Sequence, residues 1–485
     1  MSETAASTAN VPAQDISVTE GLARLAIDTR FDALPRAVTE TAKLRILDTI
    51  GVMLAGARHP STLISIDLAQ HLGGNSAASM LGHRGRTSSP LAGYVNGVAA
   101  AALEFDDLTK GVDSHLSSSI VPGALVVAEE LNLSGRELIA SFVVGFEVAA
   151  RIGRGLAPWL LDRGWHPNGV TGALGVAATS ANLRRLDLMQ ARMAIGIAAS
   201  EASGVRRNVG SMGKAFHVGH GVRNGIFAAQ LAERGFQVHP DIIAGEDVDG
   251  HGRYGFADTF SGIGNYRVHK MLEAIGVDWE LTQDRTLVRL HPCSTAPGPA
   301  IDAMIDLAKK HDLKAHQIKD IKWETTPRCW EIAPYTVAVD SFTAKFCLPY
   351  IAAVSLIDRK AGIEQFRDDR VNQADVQELA KRVSISVPED FKRHTGAAWG
   401  ENGVNWGEAR LIVELIDGQV MRIERSFARG WPEDPAGWDD LAEKYRECAD
   451  GVLPRSQVEE SMAIIKTLEN TASVSELVAS LTPAK

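Results

Sequence analysis

The feature that most constrains this chain is a series of segments in its first half built almost wholly from small apolar residues. They read LAGYVNGVAAAAL, PGALVVAEEL, GALGVAATSANL and ARMAIGIAASEASGV. Their periodicity is helical, as it is in AVTETAKLRILDTIGVMLAG and ELIASFVVGFEVAARIGRGL. Alanine and glycine on facing surfaces let helix axes come close, so such helices belong at the centre of a large helical core. A membrane bundle is the alternative, but every run is shorter than the roughly 18 apolar residues a bilayer span requires.

After about residue 279 the pattern changes. Short runs with strand character appear: RTLVRLHP, IKDIKWETT, YTVAVDSFT, RVSISVPED and ARLIVELIDGQVMRIERSF. The last predicts a hairpin turning at Asp417-Gly418. Helical text lies between them, in APGPAIDAMIDLAKKHDL and PYIAAVSLIDRKAGI. From Trp431 onward the chain is helical again, with amphipathic DDLAEKYRECADGVL and SQVEESMAIIKTLEN. The expected organisation is a discontinuous all-helical domain, residues 1–278 and 430–485, carrying a smaller α/β domain, residues 279–429. A chain of 485 residues is long enough for two cores. The N-terminal MSETAASTANVPAQD has no basic or apolar signal region and reads as a frayed tail. A cytoplasmic location is expected.

A net charge of −10 argues against a nucleic-acid partner, which would call for a basic surface. It leaves room for an anionic small molecule in a local basic pocket. Cys293, Cys329, Cys347 and Cys448 form no CxxC pair, so they define neither a zinc site nor a disulfide framework. They read as buried thiols.

Four stretches carry candidate chemistry. Asn208–Gly225, NVGSMGKAFHVGHGVRNG, gathers Lys214, His217, His220 and Arg223, with Arg206 and Arg207 just upstream. Glycines keep its backbone open and fixed cations favour an anion, although a solvated basic turn would look the same. GWHPNGVTGALG places His166 at the entry to an apolar helix, as a proton carrier or as a capped turn. In ALEFDDLTKGVDSHLSSSIVP, Glu104, Asp106, Asp107, Asp113 and His115 crowd together without metal-ligand spacing. They suit proton transfer, or helix N-capping by Asp107 or Ser117. AKFCLPYIAAVSLID puts the Tyr350 phenol ahead of a helix, as a donor or as tethered core. Gly250, Gly252 and Gly255 satisfy GxGxxG, but no strand precedes them, so a dinucleotide site is rejected.

These stretches, in this order, resemble the MmgE/PrpD family, whose pattern runs LDFDDT…HPS, GFHPTGxxGA, NFGTMTKPLHAGxAARNG and KFSLPY. Here the matching text is LEFDDL…SHLSS, GWHPNGVTGALG, NVGSMGKAFHVGHGVRNG and KFCLPY. The resemblance covers nearly the whole chain. It implies a large helical domain built from both chain ends, an α/β lid, a homodimer, and a cofactor-free and metal-free site in the cleft. Carried over residue by residue, the functional positions are Glu104, His115, His166, Lys214, a position within Cys293–Gly298, and Tyr350. Three departures stand out. Glu104 replaces an aspartate, Leu108 replaces a threonine, and the lid histidine is missing, with His291 nearby.

The resemblance implies small di- or tricarboxylate substrates and bonds made or broken beside a carboxylate. Negative charge grows there on an already anionic group, so fixed cations are needed where it develops. The expected clamp is Lys214 with Arg206 or Arg207 and His217, supported by Asp107 and Ser294. His166 and His115 are the expected acid/base pair, with Lys214 a further candidate base and Tyr350 a proton donor. A lyase, either dehydratase or decarboxylase, is expected first. An epimerase of an amino- or imino-dicarboxylate is second, and a non-catalytic carboxylate binder third.

Overall fold

The computed structural model describes residues 16–244, 254–392 and 405–483. The frayed N-terminal tail and Gly250 and Gly252 of the rejected GxGxxG lie outside the described residues. The helices that build the site are labelled in chain order. The first seven are α1 (Arg36–Gly56), α2 (Ser89–Ala101), α3 (Ser117–Glu130), α4 (Gly135–Leu156), α5 (Pro167–Leu183), α6 (Leu188–Glu201) and α7 (Met212–Glu233). Their starts follow local chemistry. Ser134 with Glu137 and Asp187 with Gln190 form capping boxes ahead of α4 and α6, and Pro167 opens α5.

The small-residue runs are where helices approach most closely. A Cβ added to Gly145 of α4 would stand 2.7 Å from the Gly175 carbonyl oxygen of α5. One added to Gly97 of α2 would stand 2.9 Å from Gly219 Cα of α7. Helix α7, which carries Lys214, is thus wedged between α2 and α5 at backbone contact. Among the described residues no helix is long and apolar enough to cross a membrane.

The later region holds a four-stranded mixed sheet. Its strands are β1 (Ile318–Thr325), β2 (Val383–Ser386), β3 (Ala409–Leu415) and β4 (Val420–Arg425), in spatial order β2-β1-β3-β4. β2 runs parallel to β1, and the other neighbours are antiparallel. The β3–β4 hairpin turns at Asp417-Gly418, where Gly418 has φ of 90°. Helices α8 (Gly298–Lys310) and α9 (Leu348–Asp358) pack with this sheet.

Two strand expectations fail. YTVAVDSFT forms no strand, because Asp340 caps a short helix, Ser341–Ala344, and Val337 and Val339 lie exposed. RTLVRLHP yields only Thr286–Leu287, which pairs with Leu108–Thr109 and then bends away.

Helix α10 (Trp438–Ala449) packs on α1, bringing the end of the chain back to the first helices. The buried apolar side chains accordingly divide. One cluster runs from Val18 to Val288 and resumes at Ala436–Leu481. The other takes Leu287 to Trp431, with Leu108 reaching in from the helical side. The fold is therefore mainly helical, with a smaller α/β part.

Candidate active site

The site forms where the 104–107 loop, the first turn of α7 and the entry to the α/β region converge. Glu104 has φ of 56°, a left-handed conformation that a residue with a Cβ rarely adopts. Its carboxylate is held from two sides. Lys214 Nζ donates to Oε2 at 2.5 Å, and Arg289 Nη1 donates to the same oxygen at 3.1 Å. Arg289 also donates to the Asp106 carboxylate, to the Asp106 carbonyl at 2.7 Å and to the Cys293 carbonyl at 3.0 Å. Burial pushes the Glu104 carboxyl up, but Lys214, Arg289 and His115 outweigh it and hold it well below the usual range.

His115 sits on the same loop. Its Nδ1 lies 2.5 Å from the Asp107 carbonyl oxygen, and a carbonyl only accepts, so Nδ1 carries the proton. Burial pushes its pKa down to about 4 against the pull of Asp106. The ring is neutral, with a free lone pair on Nε2.

His166 is the N-cap residue of α5, and its Nδ1 lies 3.2 Å from His217 Nδ1. One ring donates and the other accepts. Burial, with Lys214 and His217 nearby, pushes His166 well below its ordinary value, and burial lowers His217 as well. Asn168 ties the starts of α3 and α5 together: it donates to Ser118 Oγ at 3.0 Å and accepts from Ser119 Oγ at 3.1 Å.

A cavity of about 190 Å³ opens on this cluster, lined by Glu104, Lys214, Lys345, His59, Met212 and Phe342 among others. Its size suits a small organic acid. His59, Ser341 and Lys345 also line an adjoining chamber of about 600 Å³.

The structure brings Glu104, His115, His166, His217 and Lys214 together. It gives the other expected residues different surroundings or partners. The Tyr350 hydroxyl donates to the Gln365 carbonyl, its ring packs on Phe366 within the α/β core, and its charged neighbours are Arg370, Asp358 and Asp375. Asp107 is fully buried and accepts from the Ser117 N–H and hydroxyl at the start of α3, so it takes the capping role. Burial raises it to about 7 against the Ser117 hydrogen bond.

Arg206 and Arg207 lie on a short 3-10 turn, Arg206–Asn208, outside the cavity lining. Arg206 is half-buried near Arg328, Glu331 and Asp162, and Arg207 is exposed. The Ser294 N–H donates to the Lys345 carbonyl, while its buried hydroxyl has no hydrogen-bond partner among the described residues. His291 does not take the place of the missing lid histidine, because its ring nitrogens are engaged at 3.0 Å by the Ala361 carbonyl and Asp302.

Three groups central to this arrangement escaped sequence reasoning. Arg289 stood inside RTLVRLHP, read as a strand. Lys345 opens KFCLPY, ahead of the tyrosine whose phenol carries the more obvious chemistry. Lys444, on α10, pairs with Asp48 at 2.6 Å and donates to the Phe105 and Arg289 carbonyls, each at 2.8 Å. Among the described residues no three His, Cys, Asp or Glu side chains group as metal ligands.

The architecture is mainly helical with a smaller α/β part, and Glu104, Lys214 and Arg289 form a buried cluster where residues of the two meet. Comparison with known proteins agrees. The MmgE/PrpD N-terminal domain matches residues 20–268 and the MmgE/PrpD C-terminal domain matches residues 291–470. The chain belongs to the MmgE/PrpD family. It is 26% identical over 473 residues to the cis-aconitate decarboxylase of Homo sapiens, covering 95% of this chain and 94% of that protein. It is 26% identical over 482 residues to the cis-aconitate decarboxylase of Aspergillus terreus, covering 95% of each. It is 25% identical over 484 residues to the cis-aconitate decarboxylase-like protein oryM of Aspergillus oryzae, covering 96% of this chain and 97% of that protein.

Proposed function

We propose that the protein is a lyase acting beside a carboxylate of a small di- or tricarboxylate, with decarboxylation the favoured reaction. The observation that carries this reading is the small cavity lined by the paired Glu104 and Lys214, with Arg289 held to the same Glu104 oxygen. The relatives named as cis-aconitate decarboxylases support it.

In an unsaturated substrate the breaking C–C bond leaves its electron pair on carbon, delocalised toward the neighbouring double bond as carbon dioxide departs. That charge needs a cation close by in a water-poor site. Lys214 supplies it and stands as the acid that returns a proton to carbon. Glu104 fixes the ammonium in place, with Arg289 pinning the other side of the carboxylate. The neutral His115 and His166 rings are the groups through which the proton is replenished.

The exposed apolar side chains Leu63, Ile64, Leu68 and Leu72, all on the helix Pro60–Leu72, support self-association through that helix.

The test is a panel of cis-aconitate, 2-methylcitrate, citrate and iminodisuccinate followed by proton NMR in deuterated water. Loss of carbon dioxide is the expected result. Loss of water would move the assignment to a dehydratase, and α-proton exchange without net conversion to an epimerase. Binding without turnover would mark a carboxylate binder. Lys214→Ala, His166→Ala and Glu104→Gln should each lower kcat/KM by about 100-fold or more. Near-wild-type turnover in Lys214→Ala and His166→Ala together would end this site assignment.

A further inference from the structure

We infer that Lys345 is the residue that anchors a second carboxylate of the substrate, the one that is not broken, at the neck between the two chambers. This rests on the carboxylate reading above and adds a specificity residue to it.

The cavity's charged groups are not equivalent. Lys214 is committed to Glu104, and Arg289 to Glu104 and Asp106. Lys345 is also buried, yet its Nζ donates only to the Leu103 carbonyl, at 2.8 Å, and no carboxylate of the described residues lies in ion-pair contact with it. An ammonium has three donors, so two remain for a ligand. The residue follows the short helix Ser341–Ala344 of the α/β part, while Leu103 belongs to the helical part. Its side chain therefore reaches across the cleft. Together with His59 and Ser341 it lines both the inner cavity of about 190 Å³ and the outer chamber of about 600 Å³. A substrate whose reacting end lies at Lys214 would set its far carboxylate against Lys345. Desolvating a lone ammonium is costly, and an incoming carboxylate relieves that cost.

Burial lowers Lys345 to about 8, with Glu104 opposing and Cys293, Arg289 and Lys214 also acting on it. The other groups facing it stay silent near that pH. Burial and Lys345 itself hold His59 at about 4, and burial raises Cys293 to about 12. Arg58, Arg367, Asp368 and Asp369 line the outer chamber beside it. The protonated form binds the anion, so affinity should be level below the free-protein value and fall above it.

The experiment measures binding of propane-1,2,3-tricarboxylate, an unreactive probe, by calorimetry from about pH 6.5 to 9.5. Wild type should bind with constant affinity to about pH 8 and then lose about tenfold per unit. Lys345→Gln should bind about 10- to 100-fold more weakly at neutral pH and show no such fall. Lys345→Arg should keep binding and lose the fall, because guanidinium does not deprotonate there. Wild-type affinity that stays flat to high pH overturns the proposal, as does a Lys345→Gln affinity within twofold of wild type. Lys345→Arg, which keeps a cation at the same place, gives a second reading of the profile if Lys345→Gln fails to fold. Absence of any tricarboxylate binding by wild type sinks the carboxylate reading itself. Loss of turnover in Lys214→Ala with binding independent of Lys345 sinks only the anchor.

Discussion

Replacing Lys444 with methionine keeps most of the side chain's apolar volume and removes its charge, so the loss should be electrostatic. The ammonium is buried, 2.6 Å from Asp48, and 3.9 Å from the centre of the Phe105 ring. Removing one partner of a buried pair costs about 3–5 kcal/mol, because the other charge is stranded. The Phe105 and Arg289 carbonyls also lose their donor, at about 1–3 kcal/mol for any that finds no substitute. A loss of about 4 kcal/mol at neutral pH is expected from urea unfolding followed by circular dichroism.

The pH dependence carries a definite sign. Burial already raises the Asp48 carboxyl, and Lys444 is the chief group pulling it back, so the variant's Asp48 rises further. A carboxyl raised in the folded state holds a proton that the unfolded chain has released. Stability of the variant should therefore fall as pH rises above the unfolded value of 3.8, by about 1.4 kcal/mol per unit until the folded value is passed. The deficit should be smaller at about pH 5 than at about pH 7.5. Lys444→Met with Asp48→Asn, which removes the carboxylate that Lys444 had paired, should recover at least about 2 kcal/mol. A deficit below about 1 kcal/mol, a deficit independent of pH, or a double variant no better than the single would refute this reasoning.

Three further outcomes are expected. The 3.2 Å contact between His166 and His217 requires one Nδ1–H and one bare Nδ1, so long-range nitrogen–proton NMR should find two neutral rings in opposite tautomers; matching tautomers would contradict it. Gly97→Ala should cost about 1–3 kcal/mol and lower kcat, because the new Cβ pushes α7, and Lys214 with it, away from α2. Leu68→Glu should shift the protein toward monomer in sedimentation equilibrium without a change in melting of the helical core; an unchanged mass at matched concentration would remove that helix from the interface.

Much of the architecture was legible because it rests on local patterns. Small-residue periodicity marked the helices that touch at backbone distance, and Asp417-Gly418 marked the hairpin. The strand expectation for YTVAVDSFT failed because alternation alone does not supply a neighbouring strand, and Asp340 offered the backbone a helix cap instead. Within the site, Lys214, His115 and His166 were visible because each sits in a distinctive local motif. Arg289 and Lys444 were not, because their meaning is purely long-range: one follows a two-residue strand and the other lies on an ordinary amphipathic helix. Lys345 was in view within KFCLPY. Which of its residues faces the cavity depends on where the chain bends before α9, and residue types do not encode that. The hold of Asp107 on Ser117 is likewise long-range, since the carboxylate lies ten residues before the N–H and hydroxyl it accepts.

The reach of Lys444 to the 104–107 loop has a consequence for biogenesis. The ammonium that holds the Phe105 carbonyl is added 339 residues after it. At about 5–20 residues per second, a ribosome takes roughly 17–70 s to bridge that interval. Throughout it, Glu104 must take up its left-handed backbone without Lys444, and for the earlier part without Arg289. A nascent or prematurely terminated chain would thus have its alanine-rich helices made and its chemistry unmade. It would present apolar helix faces to chaperones while the 104–107 loop still lacked the ammonium that holds it.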